Sequence, residues 1–127
     1  MKIENDQEIL AYIDDNSIEN TMRTDSGLYY LIEEEGTGEF PTTESEVNVV
    51  YKGYFTDGEI FDESNSLGAI FPLNQVIAGW TEGLQLFKEG GKGKLFIPSH
   101  LGYGLFDYNG IPGGSVLIFD VELLAIE

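Results

Sequence analysis

The stretch that decides the fold runs from position 74 to position 87 and reads Asn74-Gln75-Val76-Ile77-Ala78-Gly79-Trp80-Thr81-Glu82-Gly83-Leu84-Gln85-Leu86-Phe87. Its large apolar residues recur at steps of three and four between Ile77 and Phe87, which predicts one face of a short helix. Gly79 and Gly83 lie inside this pattern, although a glycine costs roughly 1 kcal/mol against alanine in a helix interior. We therefore expect another part of the chain to approach the helix backbone closely there, and we expect the glycine pair after Glu89 to end the helix.

Six runs around this helix are typical of strands because they are rich in β-branched and aromatic residues or alternate with period two. They cover 28–32, 47–55, 59–62, 69–73, 92–98 and 115–126. The pair Asp57-Gly58 predicts a tight hairpin between the second and third runs. The last run has an unbroken apolar face from Leu117 to Ala125, which indicates a central strand. The pattern predicts an α+β fold, with an antiparallel sheet of five to six strands curled around one short helix.

The first 20 residues are predicted to form a second, short helix. Asn5 followed by Glu8 fits a capping box, and the apolar residues from Ile9 to Ile13 make a narrow stripe. The helix could pack on the domain, or it could act as a dimerisation or tethering arm. The first alternative is favoured because the stripe is too short for a coiled coil. The predicted division is an N-terminal helical extension over 1–25 and a main domain over 26–127.

Composition excludes several classes of function. Six basic against 23 acidic residues give a net charge of 6 − 23 = −17, and this field disfavours nucleic acids and anionic membranes as partners. The chain has no cysteine and one histidine, His100, so that no metal site, no cofactor and no nucleophilic triad is predicted. The residues directly after Met1 do not form the apolar segment of a signal peptide, and the sequence as written suggests a soluble cytoplasmic protein. A periplasmic or cell-envelope location is expected instead if a leader was trimmed.

Aromatic residues concentrate at strand ends and loop hinges. They either form ordinary core or line one apolar concavity, in which Tyr103 and Asp62 would be the polar groups. Such a pocket would suit an uncharged ligand with a saturated ring, such as proline. A long glycine- and aromatic-rich loop over 99–114 is expected to be functional or mobile. The six aromatic candidates are Tyr51, Phe61, Phe71, Trp80, Tyr103 and Phe119.

The order of short motifs resembles the FKBP-type peptidyl-prolyl cis-trans isomerases over about residues 46–127. The motifs are Val49-Val50-Tyr51-Lys52-Gly53, Asp57-Gly58 with Phe61-Asp62, Val76-Ile77-Ala78-Gly79-Trp80, Gly90-Gly91-Lys92, Leu101-Gly102-Tyr103-Gly104, Ile111-Pro112 and Phe119-Asp120-Val121-Glu122-Leu123. The resemblance implies a half-barrel sheet wrapped on the Trp80 helix, with the indole as the floor of a pocket that binds proline.

The resemblance also implies roles for individual residues. The Ile77 N–H and the Tyr103 hydroxyl would donate to carbonyls that flank the proline, while Asp62 would orient neighbouring groups and polarise the rim. The implied partners are proline-containing unfolded or extended polypeptides, and macrolide inhibitors. Phe106 and Tyr108 would add bulk to the loop beside the pocket. The implied walls are Tyr51, Phe61, Phe71, Val76, Ile77, Ile111 and Phe119.

Two functional hypotheses follow from the sequence. The chain is expected to be an active prolyl isomerase that assists protein folding. The alternative is a binding or scaffold domain whose pocket holds proline-containing peptides with little turnover. Aromatics that pack inward without any concavity would exclude both.

Overall fold

The computed structural model describes residues 2–104, 108 and 110–127, and for Lys2 and Ile3 it describes the backbone alone. These residues form two α-helices and seven strands. The helices are α1 (Lys2–Asp15) and α2 (Ala78–Leu84). The strands are β1 (Met22–Arg23), β2 (Tyr29–Glu34), β3 (Glu46–Tyr54), β4 (Ile60–Glu63), β5 (Ala69–Pro72), β6 (Lys92–Ile97) and β7 (Leu117–Ile126).

The strands make one antiparallel sheet in the order β1-β2-β6-β7-β3-β4, and β5 pairs with β3 beside β4. The long strand β3 therefore has β7 along one side, with β5 and β4 one after the other along the other side. The order confirms the predicted α+β class and the antiparallel sheet, with β7 central as expected. β1 was not predicted, because two residues are too few to show an alternating pattern.

Alternation along the central strands gives the sheet two apolar faces. On the inner face, Trp80 and Leu84 of α2 pack with Leu95 of β6 and with Leu117 and Phe119 of β7. The residues between them point to the outer face, because successive strand side chains alternate. The sheet is therefore buried on both sides.

The outer core is smaller and is covered by α1. Ile9 is fully buried there against Tyr29, Phe96, Val116 and Ile118. Thus α1 packs on the sheet, as the favoured alternative expected. None of the described helices is long and apolar enough to cross a membrane.

Helix α2 is shorter than predicted, and the predicted glycine stop is wrong. It ends at Leu84, where two tighter hydrogen bonds, from Leu86 N–H to Gly83 O and from Phe87 N–H to Leu84 O, turn the chain away. Phe87 is nevertheless buried, because this turn points it into the core. Gly90, with φ of +87°, belongs to the following turn, where its N–H donates to the Leu123 carbonyl at 2.7 Å.

The predicted capping box at Asn5 is also wrong. Helix α1 already begins at Lys2, so Asn5 lies one turn inside it. The Asn5 side chain is 1% exposed and bonds to residues far along the chain, Ser99 and Gly114. A side chain that can cap a helix can equally make a tertiary contact, and the sequence pattern does not distinguish the two.

Candidate functional site

The floor of the candidate site is Trp80, which lies in α2 and is 4% exposed. Three rings stand nearly perpendicular to the indole: Tyr51 at 5.1 Å, Phe71 at 5.3 Å and Phe119 at 5.3 Å between ring centroids. Edge-to-face contacts of this kind are favourable and fix the orientation of each ring. The indole is therefore held from three sides by β3, β5 and β7.

Glycines bring these elements close enough for the rings to meet. A Cβ on Gly79 would lie 2.7 Å from Ile97, and one on Gly83 would lie 2.6 Å from Leu95. Hence α2 lies so close to β6 that a Cβ at either position would require Ile97 or Leu95 to shift, which is the close approach that the sequence predicted. Gly53 in β3 has the same effect beneath Phe61 and Phe119, since a Cβ there would lie 2.7 Å from each ring.

These elements line a cavity of about 470 Å³ that lies above the indole and is open to solvent. Its volume falls within the range of small-molecule sites. The lining is mostly aromatic and apolar, with few polar groups. The lining residues are Tyr51, Asp62, Phe71, Gln75, Val76, Ile77, Trp80, Tyr103, Tyr108 and Phe119.

Eight of the ten predicted site residues lie in this lining, and Phe61 and Ile111 lie behind it. Phe61 packs edge-to-face on Phe119 at 5.5 Å and against Phe55 at 5.0 Å, so that it supports the wall. Ile111 is 7% exposed and exchanges two backbone hydrogen bonds with Tyr108. Phe106 lies outside the described residues.

Sequence reasoning did not assign Gln75 and Tyr108 to the site. Gln75 closes a short 3-10 turn just before Val76, and no periodicity marks it. Tyr108 stacks on Tyr103 with ring centroids 4.7 Å apart and planes 7° apart. Its aromatic neighbourhood was visible in the sequence, but the side of the loop that faces the cavity was not.

The polar side chains of the cavity are the phenols of Tyr51, Tyr103 and Tyr108, the Gln75 amide and the Asp62 carboxylate. The Tyr51 hydroxyl donates to Asp62 Oδ2 at 3.0 Å. Burial, and then the hydrogen bond and negative charge of Asp62, raise the pKa of Tyr51 to about 12. Burial, and then the nearby Tyr108 and Asp62, also raise the pKa of Tyr103. Both hydroxyls therefore keep their protons at neutral pH and can donate.

Two N–H groups near the floor add to these donors. Trp80 Nε1 is buried and has no hydrogen-bond partner among the described residues. The Ile77 carbonyl accepts hydrogen bonds from the N–H groups of Trp80 and Thr81. The Ile77 N–H itself donates to no backbone carbonyl among the described residues. A ligand carbonyl could therefore be bound without displacing an internal bond.

A second cavity, of about 370 Å³, lies on the outer face of the sheet and has a different character. Charged side chains of neighbouring strands line it, including Lys94, whose Nζ lies 2.6 Å from Asp120 Oδ1. Tyr54 donates to the same carboxylate at 2.9 Å. Because half of the described residues that line this second cavity are charged and Tyr51 is the one aromatic residue among them, the cavity above Trp80 is the better candidate for an uncharged ligand. No group of three or more metal-ligating side chains occurs among the described residues.

The family model for FKBP-type peptidyl-prolyl cis-trans isomerases matches residues 37–124. This match covers more than half of the chain. The chain belongs to the FKBP-type peptidyl-prolyl cis-trans isomerase family. The matched residues include all residues that line the Trp80 cavity, every strand from β3 to β6 and most of β7.

Relatives of this FKBP-type chain include proteins named FkpA. The FKBP-type peptidyl-prolyl cis-trans isomerase FkpA of Aeromonas hydrophila is 53% identical over 111 residues, which are 86% of this chain and 41% of that protein. FkpA of Escherichia coli K12 is 48% identical over 112 residues, 86% of this chain and 42% of that protein. The chain thus spans less than half the length of these curated relatives.

Solved structures agree with the FKBP-like fold. The crystal structure of FkpA from Escherichia coli superposes with a TM-score of 0.88 at 41% identity, over 98% of this chain and 60% of that one. A peptidyl-prolyl cis-trans isomerase from Pseudomonas syringae superposes with a TM-score of 0.85 at 29% identity, over 100% of this chain and 96% of that one. The half-barrel expected from the resemblance is therefore confirmed.

Proposed function

We propose that this chain accelerates rotation about Xaa-Pro peptide bonds in unfolded or extended polypeptides. The single observation that carries the proposal is the aromatic cavity above Trp80, whose volume suits one proline with its flanking peptide groups. Family membership supports the same activity. The proposal assigns the isomerase domain to 26–127 and treats 1–25 as an extension.

The reaction needs no proton transfer and no covalent intermediate. Rotation removes the resonance of the prolyl amide, against a barrier of about 18–20 kcal/mol. A twisted amide is less dipolar than a planar one, so a dry aromatic cavity favours it relative to water. A site that binds the twisted form more tightly than either planar form lowers the barrier.

The proposed roles follow from the contacts of each residue. Trp80, Tyr51 and Phe71 hold the pyrrolidine ring, with Phe119 and Val76 beside them. The Ile77 N–H and the Tyr103 hydroxyl donate to the carbonyls on either side of the proline. Asp62 accepts from Tyr51 at 3.0 Å and so fixes that ring. Phe61 and Ile111 shape the wall from behind, and macrolide inhibitors would bind in the same cavity.

Removal of single hydroxyls from two tyrosines tests this assignment. Tyr103→Phe should lower kcat/KM for a short Xaa-Pro peptide by up to roughly tenfold, since a hydrogen bond contributes about 0.5–1.5 kcal/mol. Tyr54→Phe is the matched control, because it removes a hydroxyl bound to Asp120 on the outer side of the sheet. It should leave kcat/KM within about twofold.

Equal losses in the two variants would contradict the assignment, because they would report on stability rather than on the cavity. Asp62→Ala should lower activity as well, by freeing Tyr51. Peptide binding without any acceleration would favour the alternative of a scaffold domain. The same peptide and conditions serve all three variants.

A further inference from the structure

Asn5 is a buried polar side chain on a helix that otherwise contributes apolar contacts. It is 1% exposed, and its side chain makes three hydrogen bonds to residues outside α1. Its Oδ1 accepts from the Ser99 N–H at 2.9 Å and from the Ser99 hydroxyl, and its Nδ2 donates to the Gly114 carbonyl at 3.1 Å. Ser99 is itself 2% exposed.

These two partners begin and end one segment, the pocket loop, defined as residues 99–114. The pocket loop carries Tyr103 and Tyr108, which line the cavity, and Ile111 behind them. Its positions 105–107 and 109 lie outside the described residues. Asn5 therefore contacts both ends of the segment that supplies one side of the cavity.

Backbone hydrogen bonds connect the two ends to Tyr103. The Ser99 carbonyl accepts from the N–H of Gly102 at 3.0 Å and of Gly104 at 2.9 Å. The Gly104 carbonyl in turn accepts from the Gly114 N–H at 2.9 Å. Tyr103 lies between Gly102 and Gly104, so its backbone is fixed by the same network that Asn5 closes.

An apolar residue would be sufficient to dock this turn of α1. Ile9, one turn later, packs in that way. Asparagine at position 5 instead matches two donors and one acceptor of the loop base, and without it the buried N–H and hydroxyl of Ser99 would lose this partner, which is unfavourable. The side chain is specific for the geometry of the loop ends rather than for burial alone.

We propose that Asn5 is a positioning residue for the cavity: through Ser99 and Gly114 it fixes the backbone around Tyr103, and thereby the placement of the Tyr103 ring on which Tyr108 stacks. The inference rests on the proposed isomerase activity for its kinetic consequence. Its structural consequence, the position of Tyr103, does not depend on that activity. It gives α1 a role in the active site, although none of the α1 side chains that the structure describes, from Glu4 to Asp15, lines the cavity.

The test compares Asn5→Leu with Ile13→Ala in the full chain. Ile13 also packs α1 on the outer core, but its apolar side chain cannot hydrogen-bond to Ser99 or Gly114, so Ile13→Ala is a control for weakened docking. Asn5→Leu should lower kcat/KM by about tenfold, mostly through a higher KM, because a misplacement of about 1 Å can cost on the order of 100-fold. Ile13→Ala should leave KM unchanged, since a smaller folded fraction lowers only the apparent kcat.

Asn5→Asp provides a second variant and a pH profile. Its ionised carboxylate can accept from Ser99 but cannot donate to Gly114, whereas its protonated form has the shape and donor of asparagine. The ratio of variant to wild-type kcat/KM should therefore rise as the pH falls through the pKa of the introduced carboxyl. If Asn5→Leu does not fold, the same kinetic and NMR measurements are made on Asn5→Asp and on Ser99→Ala, which removes one donor to Asn5. A wild-type KM and unshifted Tyr103 signals in both variants would overturn the inference.

NMR of the peptide-free protein gives a readout that is independent of turnover. The Tyr103 ring signals and the Gly104 and Gly114 amide signals should shift in the Asn5 variants and stay in place in Ile13→Ala. Unshifted signals with a wild-type KM in folded Asn5→Leu would overturn the inference. A wild-type chain without isomerase activity would overturn the proposed function instead, and the Tyr103 signals would still decide the role of Asn5.

Discussion

Tyr51 and Asp62 show how single residues set the chemistry of the cavity. The phenol contacts three aromatic rings, including Trp80, and its hydroxyl donates to the carboxylate. This bond orients a wall residue and, after burial, contributes to the raised pKa of the phenol. Such a contact depends on β3 and β4 pairing with Gly53 opposite Asp62, which brings the two side chains together.

The raised pKa of Tyr51 is a direct test at this scale. The folded-state pKa, about 12, lies above the ordinary value of 10.0, so the stability from this group is complete below pH 10 and is lost as pH rises through about 12. Asp62→Asn should lower the Tyr51 pKa, because it removes the neighbouring negative charge. Titration of the tyrosine ring carbons by NMR measures this change, with Tyr54 beside Asp120 as the control that should not move. An unchanged Tyr51 would contradict the contact.

At the scale of elements, the packing of α2 on β6 depends on two glycines. Gly79→Ala should destabilise the protein by about 1–3 kcal/mol through overpacking against Ile97. Helix propensity favours alanine by roughly 1 kcal/mol and offsets part of this cost, so a net loss of up to about 2 kcal/mol is expected. Chemical denaturation gives the free energy of unfolding.

A double-mutant cycle supplies the control for that prediction. Ile97→Ala removes the atoms that the new Cβ would meet, so Gly79→Ala should cost much less in the Ile97→Ala background than in the wild type. Additive effects of the two substitutions would mean that Gly79 does not contact β6. A stabilised Gly79→Ala single variant would contradict the close approach in the same way.

The elements that could be predicted from the sequence are those whose pattern is local. β3 and β7 are long enough to show period-two alternation, and the glycines of α2 signalled a close approach before any partner was known. Met22–Arg23 could not be predicted, since its pairing with β2 is decided by tertiary contact. The end of α2 was placed too late, because the buried Phe87 continues the helical spacing through a turn that is not helical.

The residues of the candidate site also differ in whether a local pattern predicts them. Trp80, Tyr51 and Phe119 lie in regular elements, whose periodicity shows the inward face. Gln75 and Tyr108 lie in a turn and a loop, where the path of the chain decides which side chains reach the cavity. Asn5 was interpreted as a cap because its partners, Ser99 and Gly114, are about a hundred residues away along the chain.

The whole molecule carries a net charge of −17, and the cavity opens into this field with Asp62 in its lining. A cationic Xaa-Pro peptide should therefore associate faster than a neutral peptide with the same core residues, by about tenfold or more at low ionic strength. The difference should nearly vanish in about 1 M salt, where the screening length is about 3 Å. Stopped-flow association followed by Trp80 fluorescence measures both rates. A preference that persists at high salt would indicate specific contacts rather than the long-range field.

The central claim for the whole molecule is that the Trp80 cavity accelerates Xaa-Pro rotation. Exchange between the cis and trans forms of a short Xaa-Pro peptide, measured by NMR with catalytic amounts of the protein, tests it most directly. We expect exchange well above the uncatalysed rate, whose time constant is tens to hundreds of seconds, and loss of that acceleration when a macrolide ligand of the family is added. Exchange at the uncatalysed rate, or acceleration that a bound macrolide does not affect, would contradict it.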